Sequence, residues 1–211
     1  DSKSGRATNG DDCAMAEGRN EIDKHLADLN GNTNAFRLSE GLAFVEAMNQ
    51  TFSQQIIYGD TSSNPDGVLG LAPRYNLLSA VSGANIIDAG GTGSDNTSVW
   101  LIVGGENTVA GIYPKGSQAG LMQQDLGEID AFDENNDRFR AYAELWKWKF
   151  GLHVKDWRYA VRIANIDVSD MVGQSGTQAI TAATWLNKLM IKAMARIPSM
   201  GMGTPMFLAS R

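Results

Sequence analysis

The stretch from Trp146 to Ile163, WKWKFGLHVKDWRYAVRI, holds three of the chain's five tryptophans and alternates apolar with basic residues almost without a break. Period-two alternation belongs to a strand with one buried face, because successive side chains of an extended backbone point to opposite sides. In a first arm Trp146, Trp148, Phe150, Leu152 and Val154 point one way, and Lys147, Lys149, His153 and Lys155 the other. In a second arm Trp157, Tyr159, Val161 and Ile163 oppose Arg158, Ala160, Arg162 and Ala164. The parity slips by one at Asp156, which predicts two long antiparallel strands, or one strand bulged there, with an oily face that something must cover.

The cover is predicted upstream. Asn32 or Thr33 caps a helix in which Leu38, Leu42, Val45, Phe52 and Ile56 recur at helical spacing, and Gly59 stands where a left-handed stop belongs. Such a helix runs about twenty-five residues, or roughly 37 Å, long enough to span a domain. Glu40, Glu46, Asn49, Gln50 and Gln54 occupy its other faces, so it is expected to lie on the ribbon and not inside a core. A second helix follows Ser175-Gly-Thr177, with Ala182, Leu186, Leu189, Ala193 and Ile197 on one face and Pro198 and Gly201 at its end. Residues 203–210 then begin another strand. Val99–Val103 and Thr108–Tyr113 also read as strands, with Gly104-Gly105 as a hairpin turn. The fold class is α+β. Residues 1–32 read as an extended lead-in, rich in Gly, Asn and Asp over the first twenty. The remainder divides into a helix at 33–58, a loop-rich connection at 59–97, a β-rich sheet at 98–168, and a helix and strand at 169–211.

Little here supplies reactive chemistry. The formal charge of the 211 residues is -6 and the pI about 4.9, which opposes a main role in neutralising nucleic-acid phosphates. Lys147, Lys149, Lys155, Arg158 and Arg162 gather locally in the ribbon, where a solvated strand face accounts for them. Cys13 is the single cysteine, so no disulfide forms within the chain, and the two histidines scarcely furnish a zinc site. No apolar run is long enough to cross a bilayer. The polar first residues carry no initiating methionine, as expected of a processed chain or a part of a longer one. His25 sits among Glu21, Asp23 and Asp28, and His153 on the charged side of the ribbon, both as ordinary surface residues. Gly90-Gly-Thr-Gly93 invites a phosphate-loop reading, but position 96 is Asn and Asp95 sets a negative charge beside the anion. Asp133, Asn135, Asp137 and Glu144 reproduce the ligand spacing of a calcium loop. Arg138 replaces its turn glycine, however, and a polar turn at the end of the ribbon is the plainer reading. No catalytic, cofactor or metal residue is assigned.

Several strings go further: Ala27-Asp-Leu-Asn-Gly-Asn32, Ala35-Phe-Arg-Leu-Ser-Glu40, Gly70-Leu-Ala-Pro-Arg-Tyr-Asn76, residues 86–96, Gly111-Ile-Tyr-Pro-Lys-Gly116, Asp156-Trp-Arg-Tyr159 and Arg162-Ile-Ala-Asn-Ile-Asp167, with Gly201-Met-Gly203. In this order they closely resemble the major capsid proteins of short-tailed bacteriophages. The resemblance implies the Hong Kong 97-like phage capsid fold, in which residues 33–58 are the spine helix, the ribbon is peripheral-domain sheet and residues 177–211 open a partial axial domain. It implies no enzyme and no cofactor, but a virion subunit that assembles with itself into pentamers and hexamers of an icosahedral head around double-stranded DNA, in the host bacterial cytoplasm. Portal, scaffolding and decoration proteins are the implied accessory partners, and packaged DNA is touched only weakly, by the basic side of the ribbon. The alternatives are a non-viral compartment shell of the same fold and a small calcium-binding or enzymatic domain. Gly104 and Ala110 stand where the family pattern has a tryptophan and a histidine. Family members also carry an arm and a lapping loop before the region of residue 20 and further chain after Arg211, so an incomplete chain is expected.

Overall fold

The computed structural model describes residues 10–29, 31, 33–92, 94–169, 171 and 177–209. Its elements begin with strand β1 (Ala14–Asp23) and helices α1 (Lys24–Leu29), α2 (Thr33–Tyr58) and α3 (Leu71–Arg74). Strands β2 (Ile86–Asp88), β3 (Asn96–Gly104), β4 (Val109–Ile112), β5 (Gly120–Phe132), β6 (Arg138–Val154) and β7 (Ala160–Asp167) follow, then helix α4 (Thr177–Arg196) and strand β8 (Thr204–Ala209). The chain divides into two compact units, one of Asp1–Gly70 with Ile112–Gly151 and one of Leu71–Gly111 with Leu152–Arg211.

In the first unit the tryptophan-rich arm is the middle of an antiparallel sheet ordered β1-β6-β5. Ala14 lies opposite Phe150 and Asp23 opposite Ala141 on one side, and Gly120 opposite Lys149 and Phe132 opposite Arg138 on the other. The expected lead-in is therefore sheet from Ala14 onward, followed by a short helix. Its pattern was hidden because the inward positions are small or polar: Ala16, Gly18 and Asn20 leave room, and Phe44 and Met48 of α2 fill the space a side chain at Gly18 would take.

Helix α2 runs from Thr33 to Tyr58 as anticipated, although its Asn32 cap lies outside the described residues. The stripe it buries differs. Arg37, Gly41 and Met48 are covered, whereas Leu38 and Leu42 are 53% and 57% exposed. At 100° per residue the buried stripe lies roughly a quarter-turn from the apolar one. The reason is contact distance: a Cβ at Gly41 would stand 2.9 Å from Cζ2 of Trp146, so only a glycine lets the helix axis come this close to the sheet. Farther along, Phe52 stacks on Trp148 with ring centroids 4.8 Å apart and meets Phe150 edge-on at 4.4 Å.

The second unit holds the other arm. β7 is parallel to β2 and antiparallel to β3, and β3 is antiparallel to β8, giving the order β2-β7-β3-β8. Trp100 to Val103 are all buried, the mark of a strand covered on both faces. Leu101, Val103, Val161 and Ile163 meet Ala193 of α4 and Ile197 just past its end, with Leu186 and Leu189 packed beside them, as the helical spacing predicts. The residues proposed to start α4, Ser175 and Gly176, lie outside the described residues.

Two expectations are corrected here. The two arms of the ribbon do not pair with each other: β6 pairs with β1 and β5, and β7 with β2 and β3. They part at Asp156, whose carboxylate accepts the Arg158 N–H at 3.0 Å and caps a 3-10 turn over Trp157–Tyr159. Nor do residues 99–113 make a hairpin. Buried Thr108 donates its hydroxyl to the Val103 and Gly105 carbonyls at 2.6 and 3.2 Å, which folds the connection back on itself, and β4 meets β3 only where Gly104 faces Val109, in parallel sense.

Candidate functional site

Extending the alternation Phe150, Trp148, Trp146 two residues backward places Glu144 on the oily face of β6. It is 4% exposed there, opposite Asn20 on β1 and Asp125 on β5. Two carboxylates at directly paired positions repel, so the sheet requires a cation between them. Arg37 of α2 supplies it, with Nη2 2.9 Å from Glu144 Oε1 and 2.9 Å from Asp125 Oδ1. The other Glu144 oxygen accepts from Gln123 Nε2 at 3.1 Å, and the guanidinium lies over the Tyr142 ring at 5.0 Å. A bulge aims Asp125: Leu126 is the extra residue, and Gly127, at φ +74, turns the strand so that its N–H donates to Asp125 Oδ1 at 2.8 Å. The Arg37 hydrogen bond first, and that of Gly127 second, hold the Asp125 carboxyl below the usual carboxylate range. Asn34, Arg37, Leu38, Gln123, Asp125 and Glu144 line an open pocket of about 410 Å³. Arg37 Nε and the Nδ2 of neighbouring Asn20 are buried without a hydrogen-bond partner, but the charges are paired across helix and sheet, so this cluster fixes helix to sheet and presents no nucleophile or proton shuttle.

The calcium-loop residues are not brought together. Asp133 Oδ1 accepts from the Asn135 and Asp137 N–H groups at 2.9 and 2.8 Å, forming the turn between β5 and β6, while Glu144 is spent on Arg37. That turn is braced by an Arg138–Asp130 ion pair. Among the described residues no group of three or more His, Cys, Asp or Glu side chains is placed to hold a metal. The Gly90 and Gly91 amides are already engaged, by Asp88 Oδ1 at 2.9 Å and the Asn165 carbonyl at 2.8 Å, so no anion cradle opens there; Gly93 lies outside the described residues. His25 is exposed and His153 half-buried.

On the basic side of the ribbon, Lys147 and Lys149 belong to the first unit and Lys155, Arg158 and Arg162 to the second. Lys147 pairs with Glu17 at 3.1 Å, Lys155 donates to Asn107, and Arg158 pairs with Asp156. Arg162 lies over Trp100, donating to Ser98 and to the Tyr75 carbonyl at 2.9 Å. Here two of the shared strings meet. The Tyr75 hydroxyl donates to the Trp157 carbonyl at 2.6 Å, and Asn85 Nδ2 reaches the carbonyls of Trp157, Arg158 and Ala160. Burial pushes the Tyr75 phenol well above its ordinary pKa, keeping it a donor. Gly70–Asn76 and Asp156–Tyr159 thus form a clasp that turns the chain from one arm of the ribbon into the other.

What remains is exposed apolar surface: Leu38 and Leu42 on α2, the run Leu77, Leu78 and Val81 at 58%, 62% and 75%, and Ile191 and Met194 on α4. Exposed apolar faces with no reactive centre beneath them are what an associating subunit presents.

The family model described as GP7, major capsid protein, matches residues 1–211. Among solved structures, a chain of bacteriophage Epsilon15 is similar at 34% identity with a TM-score of 0.55, over 87% of this chain. A chain of the holo-SrpI encapsulin complex of Synechococcus elongatus has a TM-score of 0.51 at 12% identity, over 78% of this chain and 76% of its own, and shares the fold alone. This chain spans 59% of the length of the Epsilon15 chain. No curated protein matches.

Proposed function

The chain belongs to the GP7 family of major capsid proteins, with the Hong Kong 97-type fold, and from that premise we propose that it is a structural subunit of an icosahedral phage head. The match of the family model to the whole sequence carries this reading. In it the first unit, with spine helix α2 and the β1-β6-β5 sheet, is the peripheral domain, and the second is the axial domain near the capsomer centre. On this reading strands β3 and β7 lie on the axial side.

The work of such a subunit is association. Many moderate contacts, repeated around five- and sixfold rings, build a closed wall from copies that each gain little from any one neighbour. Arg37, Glu144 and Gly41 hold the helix to its sheet so that the remaining faces meet neighbours in a fixed shape. The negative net charge suits a container whose wall does not adhere to densely packed DNA, which it touches weakly and without sequence preference. Portal, scaffolding and decoration proteins complete the particle, assembled in the host cytoplasm and retained in the virion. No step of this role needs catalysis or a cofactor. A non-viral compartment shell is the second reading, favoured only by the fold shared with the encapsulin chain. Sedimentation velocity and negative-stain microscopy of the purified protein test the proposal: rings and closed shells are expected, and a small soluble oligomer at every concentration refutes it.

A further inference from the structure

Two helices of this chain present complementary faces that nothing described in the structure covers. α2 turns Leu38 and Leu42 outward, and its exposed charges are acidic, Glu40 and Glu46; its single base, Arg37, is buried and paired. Glu46 lies one helical turn beyond Leu42. α4 turns Ile191 and Met194 outward at 65% and 47% exposure, beside exposed Lys188 and Lys192. It has no acidic residue along its length, and its remaining base, Arg196, is tied to the Ala84 and Ile86 carbonyls at 2.6 and 2.9 Å. One face is therefore apolar with an acidic margin, and the other apolar with a basic margin.

We propose that α4 of one copy docks on the outward face of α2 in the next copy, with Ile191 and Met194 against Leu38 and Leu42 and with Lys188 and Lys192 toward Glu46. The proposal rests on the shell-subunit reading and adds to it a pair of faces and a polarity. Opposite charge on the two margins selects α4 against α2 and disfavours each helix against its own copy, where like charges would meet. A contact between unlike faces is heterologous, so it propagates head to tail and closes as a ring. One helix pair buries far less than the roughly 800 Å² per partner of a stable dimer. The contact is therefore weak singly and effective only when a ring holds every subunit from two sides.

The test uses the assembling protein. Lys188→Glu/Lys192→Glu changes only exposed positions, so circular dichroism and melting should stay as in the wild type while the assembled fraction falls by about tenfold. Adding Glu46→Lys should return most of the loss. Independently, Leu42→Cys with Ile191→Cys in a Cys13→Ser background should give a ladder of cross-linked chains on oxidation, and neither single cysteine should. Normal assembly of the lysine variant overturns the pairing, and if DNA retention alone is lost the α4 face serves nucleic acid instead. Lost assembly without rescue by Glu46→Lys, or dimers from Leu42→Cys alone, overturns it as well. A wild type that never assembles brings down the shell reading, and the pairing with it.

Discussion

Replacing Arg37 by Met should expose how much the helix–sheet junction depends on one cation. Its side chain is 10% exposed and that of Glu144 5%, whereas that of Asp125 is 59% exposed. Without Arg37, Glu144 keeps one neutral hydrogen bond, from Gln123, and faces Asp125 across the sheet. Removing one member of a buried pair costs about 3–5 kcal/mol, because the other charge stays behind. The exposed Asp125 arm adds little, since pairs in water contribute at most about 1 kcal/mol. Glu144→Gln in the same background removes the stranded charge and keeps the shape. The double variant should therefore be more stable than Arg37→Met alone by about 2 kcal/mol, although it lacks more native groups. Urea unfolding at pH 7 followed by tryptophan fluorescence reads this directly, and the loss should fall on the transition that reports Trp146 and Trp148. It should persist at high salt, because buried pairs are screened little. A single variant within about 1 kcal/mol of wild type, or a double variant as unstable as the sum of its parts, refutes the reasoning.

Gly41→Val should destabilise by about 2–3 kcal/mol by overpacking, since its Cβ would stand 2.9 Å from the Trp146 ring, and a thermal melt with a shifted tryptophan emission would register it. Asn85→Ala removes a donor shared by three carbonyls of the 157–160 turn and should cost about 2 kcal/mol, with amide exchange rising first at that turn. The carboxyls of Asp125, Asp130 and Asp156 are all held low by arginine partners. A depressed folded pKa stabilises above the unfolded value, so their contribution should be constant from neutrality down to about pH 4 and lost below it as they take up protons. Stability that instead fell between pH 7 and 5 would mean other groups govern it.

The sequence made legible whatever follows from periodicity within one element. The extent of α2, the strand character of the first ribbon arm and of the second from Ala160 onward, and the inner face of α4 are readable from spacing. Partnership was less readable. Trp146 to Val154 and Trp157 to Ile163 are contiguous and alike, so they read as one hairpin; their separation is decided by Asp156, Tyr75 and Asn85, two of which lie some seventy to eighty residues away. Hydrophobicity marks Leu38 and Leu42 as the buried face of α2, whereas the close approach is permitted by a glycine and anchored by an arginine. Glu144 shares its parity with Trp146 and Trp148, and a carboxylate on an oily face asks for a buried cation. Strand β1 left almost no trace, because its inward residues are small for the sake of the helix above them.

Electron cryomicroscopy of particles formed by the purified protein tests the central claim most directly. The account predicts a closed icosahedral shell of five- and sixfold rings, with the α2-on-β6 layer repeated in every subunit and the exposed α2 and α4 faces covered by neighbouring copies. Monodisperse monomers or small oligomers under all assembly conditions, with those faces left in solvent, would contradict it.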